Sequence, residues 1–298
     1  MNLTATSGAS DSSRAPGGIE KLPEVRLTPQ RVLQVLRRRW RDRIHPLNGF
    51  RGVYQNFRDA ELDAPRLKPL GYDQADSTDW YLKNLHRVQF GDYPILFWLR
   101  GAFADGRSVL EIGGHMGEAY YGFSTVVQYP DDLTWTVMDV PSVTKAGVEL
   151  ARREGRTNIH FISSLEDQSG ADIVLSTGAL QYLETQLSDA VARMRTGPRH
   201  ILINFTPVYD GPSFVTIQNI GTAYCAYRVF NRKEFVDSLE ALGFALVDSW
   251  KKPRTFAIPS HPERSFNFYT GFYFRDRQRG EFARRLALTD ERGQSPSL

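Results

Sequence analysis

The sequence predicts an α/β fold with a Rossmann-like sheet of seven, mostly parallel strands. Apolar segments of strand length alternate with amphipathic segments of helical period, which is the pattern of a parallel sheet covered by helices on both faces. The predicted strands of this series lie near 107–112, 134–139, 158–162, 172–176 and 200–205, and the helices between them near 115–128, 142–154 and 184–195. A last helix, near 231–242, and two late strands, near 244–251 and 271–275, complete the pattern.

The first strand runs into a glycine-rich turn of sequence GGHMG at 113–117, and a helix follows. Such a turn lets a ligand approach the backbone closely, and the helix N-terminus offers unpaired N–H groups. A dinucleotide fingerprint ending at Gly117 would need glycine at Ile112, and a phosphate-loop Gly-Lys-Ser/Thr is absent. The acidic residue Glu111 at the end of the strand favours S-adenosylmethionine (SAM) as the ligand and disfavours a phosphate. A glycine turn that binds no ligand is the alternative interpretation.

A second carboxylate follows the next strand. The apolar segment 134–138 ends on Asp139, about 22 residues beyond Gly117. This is the usual spacing between a glycine turn and an acid that accepts hydrogen bonds from ribose hydroxyls. Asp139 could instead cap the helix that begins near Pro141.

Length and composition favour a cytoplasmic enzyme. The 298 residues can form one large core, or one core and a small lid. Cys225 is the only cysteine, which excludes an intrachain disulfide and fits a reducing compartment. The N-terminus lacks the apolar core of a signal peptide, and no later segment is apolar enough to span a membrane. We therefore expect neither export nor membrane insertion.

Charge and motif searches narrow the function further. Five arginines lie between 37 and 43 and five between 275 and 285, and such clusters usually form solvated faces, so we expect no nucleic-acid partner. The six histidines show no metal-binding spacing, so we predict no metal. A Gly-x-Ser-x-Gly elbow is absent, which argues against a serine hydrolase. The remaining partner class is a small-molecule substrate, with a homodimer as an open possibility.

The chain divides into four predicted regions. Residues 1–25 are mostly small and polar with interspersed prolines, which predicts a disordered tail. Residues 26–105 form a helical lid or extension, with helices near 28–43, 78–88 and 93–103. The catalytic domain spans 106–276, and 277–298 form a basic tail. Within the domain, Asn231 and Glu234 resemble a capping box.

With the Glu111 to Gly117 motif, Asp139 and this strand order, the segment from about 106 to 275 resembles class I SAM-dependent methyltransferases. The resemblance implies the seven-stranded fold of that class and SAM as cofactor. Segment 172–182 matches its fourth strand and the floor of its reaction site, and 163–165 falls where the family contacts adenine. The implied cofactor-binding residues are Glu111, Gly113, Gly114, Gly117, Asp139, Ser164, Leu165, Ser176 and Thr177.

One position departs from the family pattern. The family turn commonly reads E/D-x-G-x-G-x-G, and His115 replaces its middle glycine. The imidazole would stand near the amino-acid part of the cofactor or would cap the following helix.

A narrower resemblance rests on further motifs. These are Gly52-Val53-Tyr54, Gly71-Tyr72-Asp73, the run from Asn204 to Pro207, the run from Asp210 to Phe214, Gln218-Asn219, and Phe230-Asn231-Arg232. They resemble a bacterial methyltransferase family that is often associated with polysaccharide or natural-product pathways. Some relatives of this type are azetidine-2-carboxylate synthases, which use SAM itself as substrate.

Three functions follow from these resemblances. The first is methyl transfer to a small polar acceptor, with Tyr182, Asn204, His115 and Asp210 as candidate catalytic residues. Either His115 or Asp210 could take a hydroxyl proton, although Asp-Gly-Pro at 210–212 also reads as a plain turn. The second is cyclisation of SAM to azetidine-2-carboxylate with release of methylthioadenosine. The third is a noncatalytic SAM-binding module.

Overall fold

The computed structural model describes residues 46–73, 85–168 and 170–278. The strands are β1 (Phe50–Tyr54), β2 (Ser108–Ile112), β3 (Thr134–Met138), β4 (Ile159–Ile162), β5 (Ile173–Thr177), β6 (His200–Thr206), β7 (Val208–Tyr209), β8 (Phe214–Asn219), β9 (Tyr224–Asn231), β10 (Phe244–Ile258) and β11 (His261–Asp276). The α-helices are α1 (Phe57–Asp63), α2 (Tyr93–Ala102), α3 (Glu118–Phe123), α4 (Pro141–Arg153), α5 (Leu187–Ala192) and α6 (Arg232–Glu240).

Seven strands form one sheet in the order β10-β11-β6-β5-β2-β3-β4. The strands from β4 to β6 are parallel to one another, and β11 is antiparallel to both of its neighbours. Read from β4, the sheet contains its third, second, first, fourth, fifth, seventh and sixth strands. This is the topology of the class I methyltransferase fold, so the predicted fold class is confirmed.

The parallel strands are apolar throughout because helices cover both faces of the sheet. Successive side chains of β5 point to opposite faces, so Leu175 joins one core cluster with Leu99 and Trp135, whereas Val174 joins another with Ile201. Helices α2, α3 and α4 supply the first cluster, and α5 and α6 supply the second. The rigid sheet fixes where its strands end, and those ends carry the candidate site.

A second sheet was not predicted. It contains four strands in the order β1-β8-β9-β7, and 208–231 carried no predicted strand. The hairpin of β10 and β11 is also longer than predicted, since the two strands pair as far as Ile258 and His261. On this extension Phe256 and Tyr269 pack against Tyr227 of β9. The extension therefore depends on a tertiary contact, which the polar sequence around Lys252 does not indicate.

Two further local predictions can be compared with the structure, and others fall outside the described residues. The helix predicted near 93–103 is confirmed as α2, and Asn231 caps α6 by accepting a hydrogen bond from the Glu234 backbone at 2.8 Å. The disordered tail, the helix near 28–43, most of the helix near 78–88 and nearly all of the basic tail lie outside the described residues. No helix in the described ranges is long and apolar enough to cross a membrane.

Candidate active site at the carboxyl edge of the sheet

The glycine turn crosses the carboxyl ends of β2 and β3. Gly113 has φ +70° and donates its N–H to Met138 O at 2.8 Å, so the turn is tied to the neighbouring strand. Gly117 has φ +91° and directly precedes α3. A side chain at Gly117 would be strained in this conformation and would also meet Ile159 at 2.7 Å. Between the two glycines, His115 is buried with φ +54°.

Asp139 holds this turn from the end of β3. Its Oδ2 accepts a hydrogen bond from the His115 backbone N–H at 2.8 Å, and its Oδ1 accepts one from Val140 N at 2.8 Å. Burial raises the pKa of Asp139, and these two N–H groups oppose the rise. The carboxylate thus lies beside the glycine turn, as the ribose interpretation requires.

The alternative role of Asp139 as a helix cap finds no support in these contacts. The backbone N–H of Ser142, in the first turn of α4, donates to Asp73 Oδ1 at 3.3 Å. Asp73 belongs to the Gly-Tyr-Asp motif at 71–73, and sequence reasoning gave that motif no place in the site. The neighbouring Tyr72 ring lies 5.8 Å from the Tyr182 ring, so this motif reaches two parts of the carboxyl edge.

Glu111 is buried beneath the turn. It is 2% exposed, and its Oε2 accepts a hydrogen bond from the Trp135 indole at 2.8 Å. Burial raises the pKa of Glu111 to about 8, although the bond from Trp135 opposes the rise. A side chain at Gly114 would collide with the Glu111 carboxyl group. The structure therefore gives Glu111 a place under the turn, and its predicted contact with the cofactor stays a prediction.

Glu118 is a site residue that sequence reasoning missed. It begins α3, and its Oε1 lies 3.9 Å from His115 Nδ1. This oxygen is buried and accepts no hydrogen bond from the described residues. Burial first, and then the carboxylates of Asp139 and Asp92, raise the pKa of Glu118 to about 7. The position directly after Gly117 was the available signal, but an acid in a first helical turn usually reads as a match for the helix dipole.

His115 is buried beside these acids, and burial lowers its pKa to about 4. A neutral imidazole is therefore the form present near pH 7. The predicted place of the ring beside the amino-acid part of the cofactor stays a prediction, and so does the catalytic role of His115.

Three polar side chains, Ser176, Thr177 and Gln181, lie at or just after the end of β5. Ser176 is fully buried, and its hydroxyl donates to Ile112 O at 2.9 Å, which ties β5 to β2. Thr177 Oγ1 and Gln181 Oε1 are buried and have no hydrogen-bond partner among the described residues. Gln181 is 4% exposed. Because buried polar atoms are normally paired, these two atoms are available to accept hydrogen bonds from a polar ligand or a water.

The end of β6 carries a buried amide network. Asn204 Nδ2 donates to Gly91 O at 3.0 Å and to Asp92 Oδ1 at 3.2 Å, and its Oδ1 accepts from the Trp250 indole at 3.0 Å. Asn204 thereby fixes the segment before α2 over the end of β6. These bonds give it a positioning role, and the catalytic role predicted for it stays a prediction.

Phe205 follows Asn204 with φ +57°, an unusual conformation for an aromatic residue. Such a conformation costs about 1–3 kcal/mol and is maintained only where the surroundings impose it. Its Cβ lies 3.5 Å from where a Cβ on Gly178 would stand, so the strained residue adjoins the end of β5.

Tyr182 connects the site to the four-stranded sheet. Its hydroxyl donates to Gln218 Oε1 at 2.6 Å, and its ring packs edge-on against Tyr227 at 5.2 Å. Tyr227 in turn donates to the hydroxyl of Tyr269 at 2.7 Å. The predicted residue thus lies at the junction between the two sheets.

The other predicted residues lie at the edges of this arrangement. Ser164 begins the 3-10 turn Leu165–Asp167 and accepts a hydrogen bond from Glu166 N at 3.2 Å, next to the end of β4. Asp210 is exposed in the turn between β7 and β8, which agrees with its alternative interpretation as a plain turn.

A cavity of about 510 Å³ lies elsewhere, lined by Arg100 and residues 126–130. This loop precedes β3, so the cavity lies at the amino edge of the sheet, opposite the glycine turn. Ligands of open α/β sheets bind at the carboxyl edge. We therefore place the candidate site at the turn.

Comparisons with known proteins found similarity to solved structures alone. No protein-family model matches the chain, and no curated protein matches it. The chain is similar to 1,6-didemethyltoxoflavin-N1-methyltransferase from Burkholderia thailandensis, solved with 1,6-didemethyltoxoflavin and S-adenosylhomocysteine, at 20% identity over 67% of this chain and 82% of that chain, with a TM-score of 0.45. It is also similar to magnesium protoporphyrin IX methyltransferase from Synechocystis PCC 6803, solved with S-adenosylhomocysteine, at 12% identity over 69% of this chain and 89% of that chain, with a TM-score of 0.43. The strand order of its own sheet assigns this chain to the class I methyltransferase fold.

Proposed function

We propose that this chain binds SAM at the carboxyl edge of the seven-stranded sheet and transfers its methyl group to a small polar acceptor in bacterial glycan or secondary-metabolite biosynthesis. The observation that carries the proposal is the contact of Asp139 with the His115 backbone. It sets the carboxylate that we propose for ribose binding beside a glycine turn, at the point where a nucleoside binds in this fold. A cytoplasmic location without nucleic-acid or membrane partners is part of the proposal.

The residues present fit SAM. Asp139 would hold the ribose hydroxyls, and Ser164 and Leu165 would border the adenine. Thr177 Oγ1 and Gln181 Oε1 are unpaired oxygens at the end of β5 that a polar ligand would satisfy. The carboxylates on this side also suit a ligand with a sulfonium and an ammonium group, because opposite charges attract strongly where water is excluded.

Methyl transfer is a displacement at carbon. A lone pair of the acceptor forms the new bond to the methyl carbon, and the carbon–sulfur bond breaks with its electrons moving to sulfur, which leaves S-adenosylhomocysteine. A hydroxyl acceptor must also lose its proton. Glu118 can take it, because its buried Oε1 accepts no hydrogen bond from the described residues and its raised pKa keeps the carboxylate basic near neutrality.

The same carboxyl group favours a second candidate function. Glu118 follows the glycine turn, near which the aminobutyrate tail of SAM would lie, and it could take a proton from the α-ammonium. The neutral amine would then attack the γ-carbon of the same molecule, forming azetidine-2-carboxylate while the bond to sulfur breaks and methylthioadenosine leaves. The aromatic rings of Tyr72 and Tyr182 would offer faces for the sulfonium.

One experiment separates these functions. Purified protein is incubated with SAM alone and with a panel of hydroxyl and amine acceptors, and the products are identified by mass spectrometry. Methyl transfer predicts S-adenosylhomocysteine only when an acceptor is present. Methylthioadenosine with azetidine-2-carboxylate from SAM alone would replace methyl transfer by cyclisation, and tight SAM binding without turnover across the panel would support a noncatalytic module.

A further inference from the structure

Lys252 reaches the site from the extended part of β10. Its side chain runs so close to Gly91 that any side chain at position 91 would collide with it. Its Nζ lies 3.4 Å from the centroid of the Phe205 ring and 3.4 Å from Gln89 Oε1. Because Phe205 lies one residue before the end of β6 at Thr206, and Asn204 fixes the segment that contains Gly91, the ammonium group stands at the rim of the carboxyl edge.

No carboxylate of the described residues lies within 4 Å of this ammonium group. Asp92 is the acid that acts on it electrostatically, and the oxygens of Asp92 already accept hydrogen bonds from Gln89 N and Asn204 Nδ2. Burial lowers the pKa of Lys252, and the Asp92 charge opposes this. A half-buried ammonium that touches no carboxylate is a favourable partner for an anion.

A second cation lies on the same strand. Arg254 is two residues further along β10 and lies over the Tyr269 ring at 5.1 Å. Its charge is close enough to lower the pKa of Lys252 further. Like charges this close repel, and an anion between or beside them would relieve the repulsion.

We propose that Lys252, assisted by Arg254, binds an anionic group of the acceptor, a carboxylate or a phosphate. This group would bind at the carboxyl edge of the sheet, on the side of β6 and away from the glycine turn. This inference rests on the proposed function, since it names the substrate class for the same site. The ammonium contacts Phe205, which adjoins Gly178 at the end of β5, so an acceptor held by its anionic group there reaches the strand ends that border the proposed SAM site. Lys252 is thus a specificity-determining residue.

The competing role for Lys252 is structural, since its ammonium could serve only to cover the Phe205 ring. Anion binding distinguishes the two roles. Lys252→Met keeps the length of the side chain and removes the charge. Lys251→Met is the matched control, because Lys251 is the adjacent lysine, is exposed, and lies over Phe268 instead.

The test uses inorganic phosphate and acetate as probes. Each is titrated calorimetrically into the full chain, with and without saturating S-adenosylhomocysteine, for the wild type and the two lysine variants. We expect at least tenfold weaker binding of the preferred anion to the Lys252→Met protein, no change for Lys251→Met, and an intermediate loss for Arg254→Met. The tighter of the two probes identifies the acceptor group as a phosphate or a carboxylate.

Several results would overturn the inference. These are equal anion binding by wild type and Lys252→Met, an equal loss in Lys251→Met, or no anion binding by the wild type. Failure of the proposed function is seen separately, as absence of S-adenosylhomocysteine binding by the wild type. The titrations without that compound still decide the anion site.

Discussion

The two sides of the candidate site differ in charge and in origin. On the side of the glycine turn, Glu118 and Asp139 bring carboxylates to the ends of β2 and β3. On the side of the hairpin, Lys252 and Arg254 bring cations to the end of β6. A cationic cosubstrate and an anionic acceptor would each find opposite charge on its own side. If the proposed function is correct, these opposite charges would orient the two reactants at the carboxyl edge.

Asn204 joins the two sides, and its loss should have the largest effect. In Asn204→Ala, Gly91 O, Asp92 Oδ1 and the Trp250 indole lose a buried partner. We expect the free energy of unfolding to fall by about 2–4 kcal/mol, as measured by urea denaturation. Asp210→Ala, at an exposed turn, is the control and should change it little. A change below about 0.5 kcal/mol in Asn204→Ala would show that the network does not hold the two sides together.

The next effect concerns catalysis on the acidic side. With a pKa of about 7, Glu118 loses its proton as the pH rises through neutrality, so turnover should rise over the same range. Glu118→Gln should lose this rise and lower kcat by about 100-fold. The exposed Glu149, changed to Gln, serves as control. An unaltered pH profile of kcat in Glu118→Gln would remove Glu118 from the proton transfer.

A smaller effect should appear in stability. The folded protein holds the Glu111 proton up to about pH 8, whereas the unfolded chain releases it near 4.5, so stability falls as the pH rises between these values. His115 and Glu118 exert their influence mostly below about pH 7, so the fall between pH 7 and 8 belongs mainly to Glu111. Glu111→Gln can still accept the Trp135 bond and should show a smaller fall in melting temperature over that window. An identical fall in both proteins would contradict the assignment.

On the acidic side, the glycine turn and Asp139 were predictable from sequence because these parts are local, whereas Glu118 was missed. Gly113, Gly117 and Asp139 each stand at the end of an apolar strand or in the turn that follows it, and the regular alternation of elements brings those ends together. The basic side was not predictable. Lys252 meets Gln89 across 163 positions, and Asn204 meets Gly91 across 113.

The same reason explains the missed sheet. Strand β1 pairs with β8 from a part of the predicted lid to which no strand was assigned, and the extended hairpin is stabilised by aromatic packing between Phe256 and Tyr227. Neither contact leaves a periodic signal in its own segment. Sequence patterns therefore indicate where the strands end. The four-stranded sheet and the extended hairpin depend on tertiary packing instead.

The most direct test of the SAM site is calorimetric titration of SAM into the wild type and Asp139→Ala, with Asp210→Ala as the control acid. If Asp139 meets the ribose hydroxyls, the wild type binds SAM and Asp139→Ala binds it more weakly by about 1–3 kcal/mol, while Asp210→Ala binds as the wild type does. Equal SAM affinity in all three proteins, or no SAM binding by the wild type, would contradict the account.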